Sequence, residues 1–404
     1  MLDKRSMQIL LIHFLSLFTF AAPLSGCKHD GAVPSNVYTV SHKSATTDRD
    51  SVNQTLSGSR RNAITAAVAK ASPAVVGINV TATQQVQYQD WNPFGNDPFF
   101  QQFFGRGGGG VHTQTYKVKA LGSGFIISPD GYILTNDHVA GNATEIIVTT
   151  TDGSQYNAKL IGTDHNADIS LLKIDGKKLP YLEFGNSDDL AIGEWAIAMG
   201  NPFGLFSIND KPTVTVGVIS NSGVDIGIEE GHNYRDMIQT DAAISSGNSG
   251  GPLLNANGEV IGMNSTIRTT ATNYQGEAGS IGLGFAIPVN KIKTIVDRLR
   301  SGEKLNHNIG NLGMNYTDIN DEAKEYFGLK SDVGVVVTAL QRSGLAERAG
   351  IQAGDVIIGL NSDKIRGIDG FQSALADHEV GDEVTFHILR DGKNVALDMK
   401  LLGK

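Results

Sequence analysis

The chain has 404 residues, 40% of them hydrophobic and 19% charged, which is too long for one ordinary domain and too apolar for a disordered protein. A net charge of −9 with no long basic run argues against a phosphate-gripping face, so nucleic acid is not expected as a partner. One cysteine excludes an internal disulfide and a cysteine-based zinc site, and 48 glycines against 11 prolines suit a turn-dense β protein.

Residues 1–8 carry Lys4 and Arg5, and residues 9–22 (ILLIHFLSLFTFAA) are almost wholly apolar. That run is too short to cross a bilayer, which takes ~20 residues. A charged start before a short apolar stretch reads as a secretory signal. It ends in Leu24-Ser25-Gly26-Cys27, which looks like a bacterial lipobox with Cys27 as the lipid-attachment residue; the alternative is an ordinary signal with a chance cysteine. Lys28 leaves inner and outer membrane equally open as the destination. Residues 1–27 are read as a lipoprotein-type signal, and residues 28–60, rich in Ser, Thr, Asn and Asp, as a flexible tether.

From residue 61 short apolar runs alternate with turn signals. Strands are expected at Ala74–Val80, Gly124–Ser128, Tyr132–Thr135, Glu145–Thr151, Gln155–Ile161, Glu194–Met199, Thr213–Ser220, Met237–Thr240, Pro252–Leu254 and Glu259–Ser265. Pro129-Asp130-Gly131, Asp152-Gly153 and Asn257-Gly258 mark hairpins between them. Such spacing predicts antiparallel barrels or sandwiches. A helix follows at 289–301, with Val289, Ile292, Ile295, Val296 and Leu299 on one stripe. The remainder, 304–404, reads as a small β-rich unit. Its strands are expected at Gly334–Ala339, Val356–Leu360, Val384–Arg390 and Val395–Leu401, and its short helices at Gly344–Ala349 and Asp369–His378.

Three separated segments carry chemistry. In Thr240–Leu253 (TDAAISSGNSGGPL) glycines flank Asn248-Ser249 on both sides. A nucleophilic serine needs a tight turn and nearby backbone N–H groups to meet an oxyanion, and glycine permits both. A Gly-Ser loop without chemistry reads the same residues equally well. In Leu134–Val139 (LTNDHV) an apolar strand delivers His138 at its end, and in Asp164–Leu172 (DHNADISLL) Asp168 opens an apolar strand. Alone, these are an ordinary histidine and a turn aspartate. Together, His138, Asp168 and Ser249 run in the order His…Asp…Ser, 30 and 81 residues apart, the order used on double β-barrels.

The motifs TNDHV, NADISLLKID, MGNPFGL, IQTDAAISSGNSGGPL and IGLGFAIPVN, with the trailing unit, make residues 61–404 resemble the HtrA (Deg) family of periplasmic serine proteases. The resemblance implies a mainly β chain: a chymotrypsin-like double β-barrel protease domain over 61–303, then one small α+β PDZ domain over 304–404. It implies His138 as general base, Asp168 as its support and Ser249 as nucleophile, with Gly247, Asn248 and Ser249 at the oxyanion hole. Departures from the family pattern are Asp137 before the histidine, Ser170 where Ala is common and Ser245 where Asn is common.

The resemblance also assigns control elements. Trp91, Phe94, Phe99, Phe100, Phe103 and Phe104, before Gly107–Gly110, look like the family's long regulatory loop, although a disordered insertion reads there too. Asn201–Lys211, Asn221–Asp236 and Arg268–Gly279 look like its activation loops, or plain surface loops. Gly310, Asn311, Leu312, Gly313 and Met314 resemble a carboxylate-binding loop, from which a peptide would add as a strand against helix 369–378. Phe371, Ala374 and Leu375 would line that groove or belong to the core. Expected partners are unfolded proteins, peptides with hydrophobic C-termini, and further copies of the chain in a homotrimer or a multiple of it.

No nucleotide or metal motif competes, since G-x-x-x-x-G-K-[ST] and H-E-x-x-H are absent and the ten histidines are scattered; no cofactor is expected. The reading is an ATP-independent serine endopeptidase of the bacterial envelope, lipid-anchored and acting on misfolded proteins. Its rival is a peptide-binding chaperone or stress sensor with a dormant protease. An esterase is a third, weaker reading.

Overall fold

Short strands that each carry an apolar face can bury it only by pairing and closing, and here they close twice. The computed structural model describes residues 61–89, 111–201, 211–245, 247–265, 282–329 and 333–404. The first barrel is built from β1 (Val75–Gln89), β2 (Val111–Ile126), β3 (Tyr132–Thr135), β4 (Glu145–Thr149), β5 (Gln155–Asp164) and β6 (Ile169–Lys173), in the order β1-β2-β3-β6-β5-β4. After β7 (Trp195–Gly200) and β8 (Thr213–Val224), a small hairpin of β9 (Gly227–Glu229) and β10 (His232–Tyr234) stands apart. Then β11 (Met237–Thr240), β12 (Pro252–Leu254), β13 (Val260–Ser265) and β14 (Gly284–Pro288) complete the second barrel, ordered β11-β14-β13-β12-β7-β8.

Strand alternation explains how the barrels join. On β7, Ala196 and Ala198 fill the second barrel's own core, while Ile197 and Met199 belong to the cluster that runs through the first barrel. Met263 and Ile287 join that cluster, so the seam between the barrels is apolar. The predicted helix is Val289–Arg300, and its expected stripe of Val289, Ile292, Ile295, Val296 and Leu299 is buried. Leu299 lies against Gly162 of β5, where an added Cβ would come within 3.1 Å of its Cδ2. A second helix, Ala63–Ala71, was not expected from the sequence. Asn62 and Thr65 cap it reciprocally, each side chain taking the other's backbone N–H at 2.9 and 3.0 Å.

The last unit is a sheet of β15 (Met314–Asp318), β16 (Val335–Leu340), β17 (Val356–Leu360), β18 (Asp363–Lys364), β19 (Glu383–Arg390) and β20 (Lys393–Lys400). Its order is β15-β16-β17-β19-β20, with β18 on β17, which leaves β15 at an edge. Helices Leu345–Arg348 and Ile368–Ala376 fall where expected, and Asp321–Phe327, capped by Asn320, is an addition. Leu312, Val335, Val337, Ile357, Phe371, Phe386 and Leu401 form its core. No helix among the described residues is long and apolar enough to cross a membrane.

Candidate active site

Asp168 immediately precedes β6, so burying that strand takes the carboxylate inside, where it is 0% exposed. Its φ of +57° is left-handed, a conformation that aspartate tolerates better than most side chains. Oδ1 and Oδ2 lie 3.0 and 2.9 Å from Nδ1 of His138, and Oδ1 also accepts the His138 backbone N–H at 3.0 Å. Tyr234 and Ser265 donate their hydroxyls to Oδ2 at 3.1 and 3.3 Å. Asn136 fixes the same turn from the other side, its Nδ2 donating to the Asp168 carbonyl at 3.1 Å. His138 itself stands on a single helical turn, Asp137–Ala140, that leaves the end of β3.

Burial alone would push the Asp168 carboxyl up, but the hydrogen bonds and charge of His138 outweigh it and hold the group below the usual carboxylate range. Burial likewise disfavours the His138 imidazolium. Asp168, aided by Asp137 and Glu230, overcomes that and raises the ring above the ordinary histidine value. The pair is an anionic carboxylate supporting a basic imidazole.

Ser249 sits on a loop pinned to both barrels. Its carbonyl accepts the Ser123 N–H at 3.0 Å, the Gly250 N–H goes to Asn264 O at 2.9 Å, and the Gly251 N–H goes to Asn248 O at 2.9 Å. Gly250 has φ +81°, and a Cβ there would collide with the Ser123 carbonyl and the Thr135 hydroxyl and approach Asn136 N to 3.1 Å. The loop therefore rests on the two residues that lead into the His138 turn. Ser123 ties it further, donating Oγ to Gly247 O at 2.6 Å and accepting the Asn201 N–H at 2.7 Å. The Asn248 backbone N–H is given to Ser245 O at 2.8 Å.

In the last unit, Gly310–Met314 leads into edge strand β15. The Gly313 N–H is held by Asn311 Oδ1 at 2.8 Å, and Leu312 O accepts the Ala346 N–H at 2.8 Å. Phe371 and Ala374 are core residues, with Tyr316 edge-on to Phe371 at 5.0 Å, and Leu375 is half-buried beside them. The back of the same helix meets the protease side. Asn233 Nδ2 donates to Ser373 O at 2.8 Å and to Asp377 Oδ1 at 2.9 Å, and the Ser373 hydroxyl returns a bond to Asn233 Oδ1 at 2.6 Å. Arg235 pairs with Asp377 at 2.9 Å and Asp363 at 3.1 Å. The segment Asn221–Asp236, expected as a loop, thus contains a hairpin whose successive residues alternate between Asp168 and the neighbouring helix.

Sequence reasoning missed Tyr234, Ser265, Asn136 and Ser123. Only Ser123 had a local signal, a Gly-Ser-Gly run within a strand. It also read the histidines as scattered, whereas the fold gathers His165 and His232 next to Asp137. Cys27, the tether, the aromatic segment 91–104, most of Asn201–Lys211 and Arg268–Gly279 lie outside the described residues.

Comparison with known proteins agrees with this geometry. The trypsin-like peptidase domain family matches residues 122–263, and the PDZ domain family matches residues 310–401. A probable periplasmic serine endoprotease DegP-like from Chlamydia trachomatis is 38% identical over 408 residues, covering 97% of this chain and 78% of the relative. A protein of the same description from Pseudomonas fluorescens is 39% identical over 343 residues, 82% of this chain and 68% of the relative. Among solved structures, the HtrA-type protease AlgW with a decapeptide superposes with a TM-score of 0.59 at 35% identity, covering 84% of this chain and 98% of that one. With the fold, the paired domains and the likeness over 97% of the chain in accord, the chain belongs to the family of DegP-like, HtrA-type periplasmic serine endoproteases.

Proposed function

We propose that this endoprotease cleaves unfolded or misfolded proteins of the envelope through an acyl-enzyme on Ser249. The observation that carries the assignment is the His138 ring held at 2.9 and 3.0 Å by both oxygens of buried Asp168, beside the serine loop. A carboxylate can only accept, so Nδ1 carries the proton and the lone pair of the neutral ring is on Nε2. Nε2 takes the Ser249 proton as Oγ bonds to the scissile carbonyl carbon. The oxyanion that forms is met by the Gly247 and Ser249 N–H groups. His138 then gives its proton to the leaving amine, and water, deprotonated by the same nitrogen, releases the acyl group. Asp168 stays ionised throughout and stabilises the imidazolium.

A peptide C-terminus would be held by the Gly310–Met314 loop and extend β15 as an added strand, with hydrophobic side chains toward Leu375. Trimeric assembly and a lipid on Cys27 complete the reading, the latter placing the protease at a membrane surface. A fluorophosphonate probe tests the central assignment: it should label the wild type at Ser249 and leave Ser249→Ala unlabelled. Casein cleavage should fall ~10³-fold or more in that variant. Labelling elsewhere, or cleavage retained, removes Ser249 from the mechanism. Acyl labelling that persists in Cys27→Ala removes the anchor, and native mass gives the assembly directly.

A further inference from the structure

Asp137, His165 and His232 neither attack the substrate nor carry its proton, yet each offers a ligand atom and these atoms all lie within 4.8 Å of one another. We propose that they form a binding site for a divalent cation of the Zn2+ class, with two imidazoles and one carboxylate from protein and water in the remaining position. This donor set suits zinc, which takes His nitrogen and Asp oxygen together and keeps an open position where only three protein ligands are present.

Asp137 and His232 are supported in the way such a site requires. The Asp137 carboxylate is 3% exposed, and its Oδ2 accepts from His165 Nδ1 at 2.7 Å, a proton that a bound cation would displace. Thr163 donates its hydroxyl to Oδ1 and so orients the group. Buried His232 has Nδ1 2.6 Å from the carbonyl of His165. A carbonyl only accepts, so that nitrogen carries the proton and Nε2 is the lone-pair nitrogen of the neutral ring. Ligating histidines are oriented by this kind of outer hydrogen bond. The His165 side chain is 61% exposed, which gives a cation a way in.

The surroundings leave space for the cluster. A Cβ on Gly141 would collide with the Asp137 carboxylate, and one on Gly231 would come within 3.0 Å of His165 Nε2. The three ligands also come from three segments that frame the catalytic pair. Asp137 opens the turn bearing His138, His165 lies in the turn before Asp168, and His232 belongs to the hairpin that reaches the PDZ helix. A bound cation would therefore staple these segments together.

The test uses the full chain in the Ser249→Ala background, which prevents self-cleavage, stripped of metal and titrated with Zn2+ against a chromophoric chelator. We expect uptake of about one Zn2+ per chain with Kd of about 10 µM or tighter. A rise in Tm should accompany it, and Co2+ should give the visible absorption of a low-coordinate site. His165→Ala, at an exposed position and so expected to fold as the parent does, should weaken uptake by roughly 100-fold, and Asp137→Asn by at least roughly 10-fold. Failure to take up Zn2+ at about 100 µM overturns the site. So does uptake that is unchanged in both variants. The readout is binding, so its failure leaves the protease assignment untouched.

Discussion

The Tyr234 hydroxyl donates to Oδ2 of Asp168 at 3.1 Å, on the oxygen that also lies 2.9 Å from His138. Burial first, and then the Asp168 charge, push the phenol well above the ordinary tyrosine value, so it remains a donor across the working pH range. Tyr234 is thus a positioning residue for a carboxylate that cannot reach water. Tyr234→Phe removes the donor without emptying the space. A hydrogen bond to a buried charge is worth about 1.5–3 kcal/mol, so kcat on a peptide substrate should fall roughly 10- to 100-fold. KM should change little, and a loss confined to KM would remove Tyr234 from the positioning of Asp168.

The neighbouring residue points the other way. Asn233 is 2% exposed and Ser373 is 1% exposed, and they exchange hydrogen bonds of 2.8 and 2.6 Å across the domain boundary. Because His232 and Tyr234 flank Asn233 on one short strand, shifting the PDZ helix must pull on the groups around Asp168. A double-mutant cycle with Asn233→Ala and Ser373→Ala should show an interaction energy of about 0.5–3 kcal/mol in thermal unfolding. The same variants should blunt the response of cleavage to a hydrophobic C-terminal peptide. Additive stability effects with full peptide stimulation would mean that the contact carries no coupling.

How much of this could be read from the chain follows from the range of the interactions. Strand positions such as Tyr132–Thr135 and Met237–Thr240 match to the residue, because alternation and flanking turns are local signals. The pairing of His138 with Asp168 was legible because each sits in a short motif at the edge of an apolar strand. Tyr234 and Ser265 were not: Tyr234 reaches Asp168 only through the separate β9–β10 hairpin and Ser265 only through closure of the second barrel, 66 and 97 residues along the chain. The β9–β10 hairpin hid for a related reason. Three-residue strands beside Gly227 and Gly231 look like loop, and their stability comes from the helix and the aspartate they touch. His165 and His232, 67 residues apart, likewise meet only in the fold.

The linker into the PDZ domain holds a pH-dependent contact. His307 Nε2 lies 3.4 Å from Asp164 Oδ1, and His307 Nδ1 is 2.9 Å from the His378 carbonyl. Burial opposes the imidazolium, but Asp164, with smaller help from the His378 carbonyl and Glu379, raises His307 above its ordinary value of 6.5. Burial also opposes the Asp164 anion, which His307, the Ala167 N–H and Lys291 hold below 3.8. The histidine's contribution is full below 6.5 and is lost as pH rises through its raised folded value. The aspartate's contribution is present above 3.8 and lost only as pH falls through its lowered folded value. His307→Gln should therefore lower Tm most near about pH 5.5 and least near about pH 8.5. A deficit that is flat or grows with pH would show that His307 is not a charged partner there.

Gly250 is a position where the serine loop has little latitude. Its φ of +81° strains any other residue, and an added methyl would meet the Ser123 carbonyl and the Thr135 hydroxyl, both already hydrogen-bonded. Thr135 is one residue from Asn136, whose amide holds the Asp168 turn, so relief of the clash must displace either the Ser249 loop or the His138–Asp168 support. Gly250→Ala should destabilise the fold by about 2–3 kcal/mol. It should also cost roughly 100-fold or more in cleavage, since a displacement of about 1 Å at a reacting group has that effect. A fluorophosphonate probe separates the two consequences, because folded Gly250→Ala protein, selected by its circular dichroism, should still label far more slowly than wild type. Equal labelling rates would place the whole penalty in stability and free the loop from the role of aligning Ser249.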